Sequence, residues 1–77
     1  VNAMPKEAEL PLAPIDRIMR RAGGRRVSAS AAQALREIIE DIAVEIAKRA
    51  KDIAAHAGRK TVTGADIKLA YSQFMRK

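Results

Sequence analysis

The 77-residue sequence has no cysteine, so neither a disulfide nor a thiolate-bound metal supports its fold. It has one histidine, His56, too few for an imidazole-based metal centre. No apolar run approaches the ~18 residues that a membrane span needs, and no signal-peptide apolar core is visible. No acid/base pair beside a nucleophile, phosphate-cradling glycine loop or metal-ligand cluster can be read. These absences predict a soluble, intracellular, single-domain protein that is not an enzyme. They predict no catalytic residue, metal, cofactor, membrane contact or small-molecule substrate. A chain this short buries a modest core, and small scaffolds without staples often gain stability by oligomerising.

What is present is organised around the stretch from Ser28 to Gly58, in which Gly58 is the first glycine and there is no proline. Apolar residues recur every three to four positions, which predicts one helix of about 28 residues, roughly 42 Å long at ~1.5 Å per residue. Leu35, Ile39, Ile42, Ile46 and Ile53 form a seam, with Arg49 and His56 in the same register, and Ile38 widens it. Ala43, Ala47, Ala50, Ala54 and Ala57 are small enough to let another helix approach. Glu45 and Arg49 have the spacing of a favourable i,i+4 pair. Such a helix is too long for its own chain to cover, so its seam needs a partner.

The flanks are shorter elements. Residues 1–8 read as a flexible tail, with Met4 a candidate natural start, and residues 9–77 as the folded domain. Pro14 suits the first turn of a helix of about nine residues, with Asp16 near its positive end. Ile15, Ile18, Met19 and Ala22 give that helix its apolar face, and Gly23-Gly24 ends it. Arg25-Arg26-Val27 is a short extended link. Ser28 or Ser30 caps the long helix, and Ser30 with Gln33 has capping-box spacing. Gly58 ends it, and Arg59-Lys60-Thr61-Val62 is a second basic link. Thr63 and Asp66 signal the start of a last helix with Ile67, Ala70, Tyr71 and Phe74 on its apolar face, fraying from Met75 onward. The two links are alike: Gly24-Arg25-Arg26-Val27-Ser28 against Gly58-Arg59-Lys60-Thr61-Val62-Thr63.

Charge is segregated in the same way. Of the net charge of +6, residues 1–28 carry +3, residues 29–58 carry −1 and residues 59–77 carry +4. A near-neutral long helix with cationic segments at both ends favours a polyanionic partner over plain solubility.

Four motifs in register resemble the archaeal histones, the minimal histone-fold family. They are Glu9-Leu10-Pro11-Leu12-Ala13-Pro14-Ile15, Arg26-Val27-Ser28, His56-Ala57-Gly58-Arg59-Lys60-Thr61-Val62 and Ala65-Asp66-Ile67. The resemblance covers residues 9–77. It implies an all-α histone fold of short helix, loop, long helix, loop and short helix, assembled as an intertwined handshake dimer. The long helices cross near Ala43, with a dimer core of Leu35, Ile39, Ile42 and Ile46. Each first loop pairs with the partner's second loop, bringing the basic links together.

The function implied is binding, wrapping or compaction of double-stranded DNA with little sequence preference, on the chromosome in the nucleoid of the cytoplasm. The implied contacts to DNA are Arg17, Arg20 and Arg21 on the first helix, Arg26 in the minor groove, and Ser28, Lys60 and Thr61 at phosphates. Arg59 is implied to pair with Asp66 as a structural salt bridge. Ile53, His56 and Asp66 resemble residues where one dimer meets another in a four-helix bundle, giving a tetramer or a filament on DNA. A lone histidine at a helix C-terminus also has a plain structural reading, since its charged form suits that end. The alternative function is a histone-fold component of a transcription or chromatin complex, acting by heterodimerisation with a paralogue.

Overall fold

A computed structural model describes residues 8–76 of the chain. It contains three helices, α1 (Leu12–Arg21), α2 (Ala29–His56) and α3 (Gly64–Met75). Among the described residues there is no strand, and the two links are irregular. The chain divides within α2, between Glu40 and Asp41, into two compact units. Each holds a short helix, a basic link and half of α2. Lys77 and most of the expected tail, residues 1–7, lie outside the described residues, and Ala8 is exposed.

In the N-terminal unit, α1 starts earlier than the sequence predicts. Pro11 takes an extended conformation as N-cap, and Leu12 is the first helical residue. Pro14 is then third in the helix, where an N–H would still have no intrahelical acceptor, so the ring costs no backbone bond. Asp16 therefore falls beyond the first turn, which holds no acidic residue. Its carboxylate instead accepts from Arg20 Nε at 2.8 Å. Between the two possible caps of α2, Ser28 is the one formed: its Oγ accepts from the Ala31 N–H at 3.1 Å. Ser30 Oγ lies 3.1 Å from Ser28 Oγ and is part of the helix.

The C-terminal unit closes on alanines. Ala50 and Ala54 on α2 and Ala70 on α3 are its buried apolar residues, at 0%, 2% and 0% exposure. Small side chains on both helices are what permit a close approach. Arg49 lies with its guanidinium 5.9 Å from the centroid of the Phe74 ring and its Nε 3.9 Å from Glu45. At the start of α3, Thr63 Oγ1 accepts from the Asp66 N–H while Asp66 Oδ2 accepts from the Thr63 N–H, a complete capping box. The helix keeps its geometry through Met75, one residue past where fraying is expected.

Both links begin with the same turn. Gly23 and Gly58 have φ of +109° and +74°, the left-handed region in which a Cβ is strained. Gly24 N–H reaches back to Met19 O at 3.1 Å and Gly23 N–H to Arg20 O at 3.0 Å. The pattern recurs with Arg59 N–H to Ala54 O at 2.9 Å and Gly58 N–H to Ala55 O at 3.0 Å. This matches Gly23 with Gly58, one position earlier than the sequence comparison placed the first link. The six residues Gly23–Ser28 then match Gly58–Thr63 one for one, and Ala31 matches Asp66.

The core of the chain taken alone is small. Its buried apolar residues among those described are Ile15, Ala32, Ala50, Ala54 and Ala70, and no large side chain is fully buried. At about 100° per residue, Ala32, Ala50 and Ala54 fall on one stripe of α2, and Leu35, Ile39, Ile42, Ile46 and Ile53 on the stripe beside it. The first stripe is buried by the chain itself. The second is only partly covered, and Ile42 is exposed.

Candidate nucleic-acid interface

The cationic side chains differ sharply in what holds them. Arg17, Arg21, Arg25, Arg26 and Lys60 are exposed and make no ion pair with a described residue. Arg20 is different. Its Nε is bound to Asp16, and its Nη1 lies 3.5 Å from the carbonyl oxygen of Arg25, a long contact that tethers α1 to the first link. The Arg20 Nε thus already faces an intramolecular carboxylate, and other guanidinium hydrogens remain for an anion. Ser28 is exposed, but its oxygen serves as the cap of α2, and it shares a hydrogen bond with Ser30 in which either hydroxyl can be the donor.

The second link is fixed by one buried group. Asp66 is 3% exposed, and Arg59 grips it in a fork, Nη1 to Oδ2 and Nη2 to Oδ1, both at 2.8 Å. Arg59 Nη1 also donates to Thr61 O at 3.1 Å, and Asp66 Oδ2 accepts from Thr63 N–H at 2.9 Å. Arg59, Thr61, Thr63 and Asp66 thus form a closed set, and Lys60 and the Thr61 side chain are held outward between its members. Two parallel charge-assisted bonds fix orientation as well as distance. The Arg59 hydrogen bonds, and after them the Thr63 N–H, hold the Asp66 carboxyl well below the usual carboxylate range, while burial opposes the shift. The same bond raises the Arg59 guanidinium.

Ile53 is half-buried and His56 exposed at the end of α2. The His56 Nδ1 is 2.9 Å from the Asp52 carbonyl oxygen, which only accepts, so in this contact Nδ1 carries the hydrogen and Nε2 is left out of it. Asp66 has both oxygens engaged inside its own unit, Oδ2 by Arg59 and Thr63 and Oδ1 by Arg59. Among the described residues no group of three or more His, Cys, Asp or Glu could hold a metal ion. No described helix is long and apolar enough to cross a membrane.

Three participants, Asp16, Arg36 and Glu40, are not among the site residues expected from sequence. The Asp16 to Arg20 pairing has the ordinary i,i+4 signal and could have been read from spacing. Glu40 and Arg36 could not: Glu40 Oε2 accepts the N–H groups of Glu9 and Leu10, each at 2.8 Å, and Arg36 Nη1 donates to Leu10 O at 3.4 Å. Backbone partners leave no mark in the sequence.

Residues 8–71 match the family described as histone-like transcription factor (CBF/NF-Y) and archaeal histone. The chain is 57% identical over 63 residues to the archaeal histone HAN1 of Thermococcus zilligii, covering 82% of this chain and 94% of that protein. It is 51% identical over 63 residues to probable archaeal histone 3 of Methanocaldococcus jannaschii, with the same coverage of 82% and 94%.

Proposed function

The chain belongs to the family of histone-like transcription factors (CBF/NF-Y) and archaeal histones, and from that premise we propose that it is a dimeric chromatin protein that packages double-stranded DNA. It acts on the chromosome, in the nucleoid, and performs no catalysis. The observation that carries this reading is the division of its cations. Arg17, Arg21, Arg25, Arg26 and Lys60 stand exposed on α1 and the two links, while the two buried carboxylates are used internally.

The dimer would complete the burial of the partly covered stripe of α2. Leu35, Ile39, Ile42 and Ile46 form its core, and each isoleucine gains roughly 1.5–3 kcal/mol on full burial. Antiparallel crossing near Ala43 sets the first link of one protomer beside the second link of its partner. Their cations then form one cluster at each end of the dimer. Duplex binding of this kind is mainly charge neutralisation with release of counterions, and it reads no bases. In histone–DNA complexes arginines enter the minor groove where it faces inward. Arg26 takes that role here, with Arg17 and Arg21 near phosphates from α1 and Lys60 and Thr61 at the backbone from the second link. Arg20 joins them by exchanging Asp16 for phosphate, and Ser28 donates its hydroxyl hydrogen. Ile53 and His56 at the end of α2 provide a contact between dimers, and Asp66 contributes by holding Arg59 and the second link in place. Whether such contacts close a tetramer or extend a filament is read from nuclease digestion, as one protected length or a ladder.

Titration of duplex DNA against salt tests the reading. The expected result is steep loss of affinity as salt rises, with little dependence on sequence. Arg26→Ala with Lys60→Ala should weaken binding and flatten the salt slope while the protein elutes as a dimer. Absence of duplex binding at low salt overturns the proposal, and unchanged affinity in the double variant removes those two residues from the site. A second reading, a component of a larger complex that pairs with a paralogue, draws on the same partly covered seam. Sizing the purified chain decides: a soluble self-dimer supports the first reading, and aggregation relieved by a paralogue supports the second.

A further inference from the structure

Glu40 is, with Asp66, one of the buried carboxylates among the described residues, 8% exposed at the middle of α2. It is not adjacent in sequence to anything it holds. Its Oε2 accepts two hydrogen bonds in a fork from consecutive backbone groups, the N–H of Glu9 and the N–H of Leu10, both at 2.8 Å. Arg36, one helical turn earlier on α2, donates Nη1 to the Leu10 carbonyl at 3.4 Å. The segment leading into α1 is thereby strapped to the N-terminal half of α2 by main-chain contacts that do not depend on its side chains.

The strap has a specific load. α1 has only ten residues, carries Pro14 in its first turn and has no side-chain cap at Pro11. Helices of this length are marginal without tertiary support. Ile15 is the one residue of α1 that is buried. At its C-terminal end α1 is held by the Gly23 turn and by the long Arg20 contact to the first link. At its N-terminal end Glu40 supplies the fixed contact. Hydrogen bonds to an ionised acceptor are shorter and stronger than neutral ones, and a buried carboxylate keeps them in one geometry.

We propose that Glu40 is a positioning residue for DNA binding: by fixing Glu9 and Leu10 it sets the direction of α1 and hence where Arg17 and Arg21 meet phosphate. This rests on the reading of α1 as a DNA-facing helix. Glu40 itself touches no DNA and, being an acid, would repel it; its contribution to DNA binding comes through the backbone it holds.

The test combines amide exchange with duplex titration on the full-length protein. In the wild-type protein the Glu9 and Leu10 amides should exchange at least tenfold more slowly than in an unstructured peptide. Free-peptide rates at both would overturn the strap outright. Glu40→Ala should abolish that protection and weaken duplex binding severalfold with a smaller salt slope, the size of the dimer unchanged. That combination marks lost phosphate contacts rather than lost fold. Glu40→Gln retains a carbonyl oxygen that can accept both bonds, so it should restore most of the protection and affinity. Should Glu40→Ala fail to fold, Glu9→Pro removes one donor and leaves α2 intact. It should shift affinity and slope in the same direction by a smaller amount. Lost protection with unchanged affinity and slope would overturn the positioning role while leaving the strap. Absence of DNA binding in the wild-type protein would defeat the proposed function, and the exchange measurement would still judge the strap.

Discussion

The two units of the chain share one plan and anchor it with different chemistry. Each ends a helix with a left-handed glycine, turns through basic residues and a valine, and starts the next helix on a hydroxyl cap. In the second link the position after the glycine carries Arg59, and the third position past the cap carries Asp66; these lock the turn from within. In the first link the matching positions are Gly24 and Ala31, so no such lock can form. There the anchoring pair is Arg20 with Asp16, on the surface, with side chains 53% and 35% exposed. A Cβ on Gly24 would sit 3.2 Å from the Met19 carbonyl oxygen, so an arginine there requires the turn to give way. One repeated turn thus yields a rigid link and a looser one. The N-terminal unit places its buried carboxylate, Glu40, at the far end of α1 instead.

Breaking the rigid link should have the largest effect. Asp66→Ala removes the fork, half of the capping box and the acceptor that aligns Thr63, and leaves Arg59 without its partner. It should give the lowest denaturant midpoint of any single substitution in either link. Acid probes the same group without mutation. A carboxyl held below its unfolded value near 3.9 contributes stability that is complete above that pH and is lost as pH falls toward the folded value. Thermal denaturation should therefore show loss below about pH 4 that is reduced in Asp66→Asn. The caps come next. Thr63→Ala and Ser28→Ala should each cost about 1 kcal/mol by urea denaturation, Thr63→Ala the more because its partner is half of a box. Ala31→Asp would give the first link the box it lacks and should raise stability by a few tenths of a kcal/mol to about 1. Asp16→Ala should be smallest in stability, about 0.5 kcal/mol or less. Its larger consequence is on binding: with Arg20 released, duplex affinity at low salt should rise.

The helices and their ends were legible because glycine, proline and hydroxyl residues punctuate them. The seam was legible because a periodic apolar pattern survives in sequence. Where reading failed, the competition was local. Pro14 does lie in the first turn, but the helix begins two residues before it, with Pro11 as its cap. Ser28 and Ser30 are both caps in principle, and only Ser28 lies just outside the helix, where a cap can serve. The alanines of α2 were grouped as one approach surface, yet Ala50 and Ala54 are buried by the chain while Ala43, Ala47 and Ala57 are exposed. Composition does not say which flank of a stripe a neighbouring helix will take. The strap from Glu40 to Glu9 and Leu10 was invisible because it ends on peptide groups, which every residue has.

The division of α2 into an alanine stripe buried within the chain and an isoleucine stripe only partly covered bears on how the protein behaves in dilution. Side chains that supply the large apolar contacts are not satisfied by one copy. On the dimer reading, the transition temperature is then not a constant of the molecule. It should climb with total protein and fall on dilution, as mass action requires when folding and association are one event.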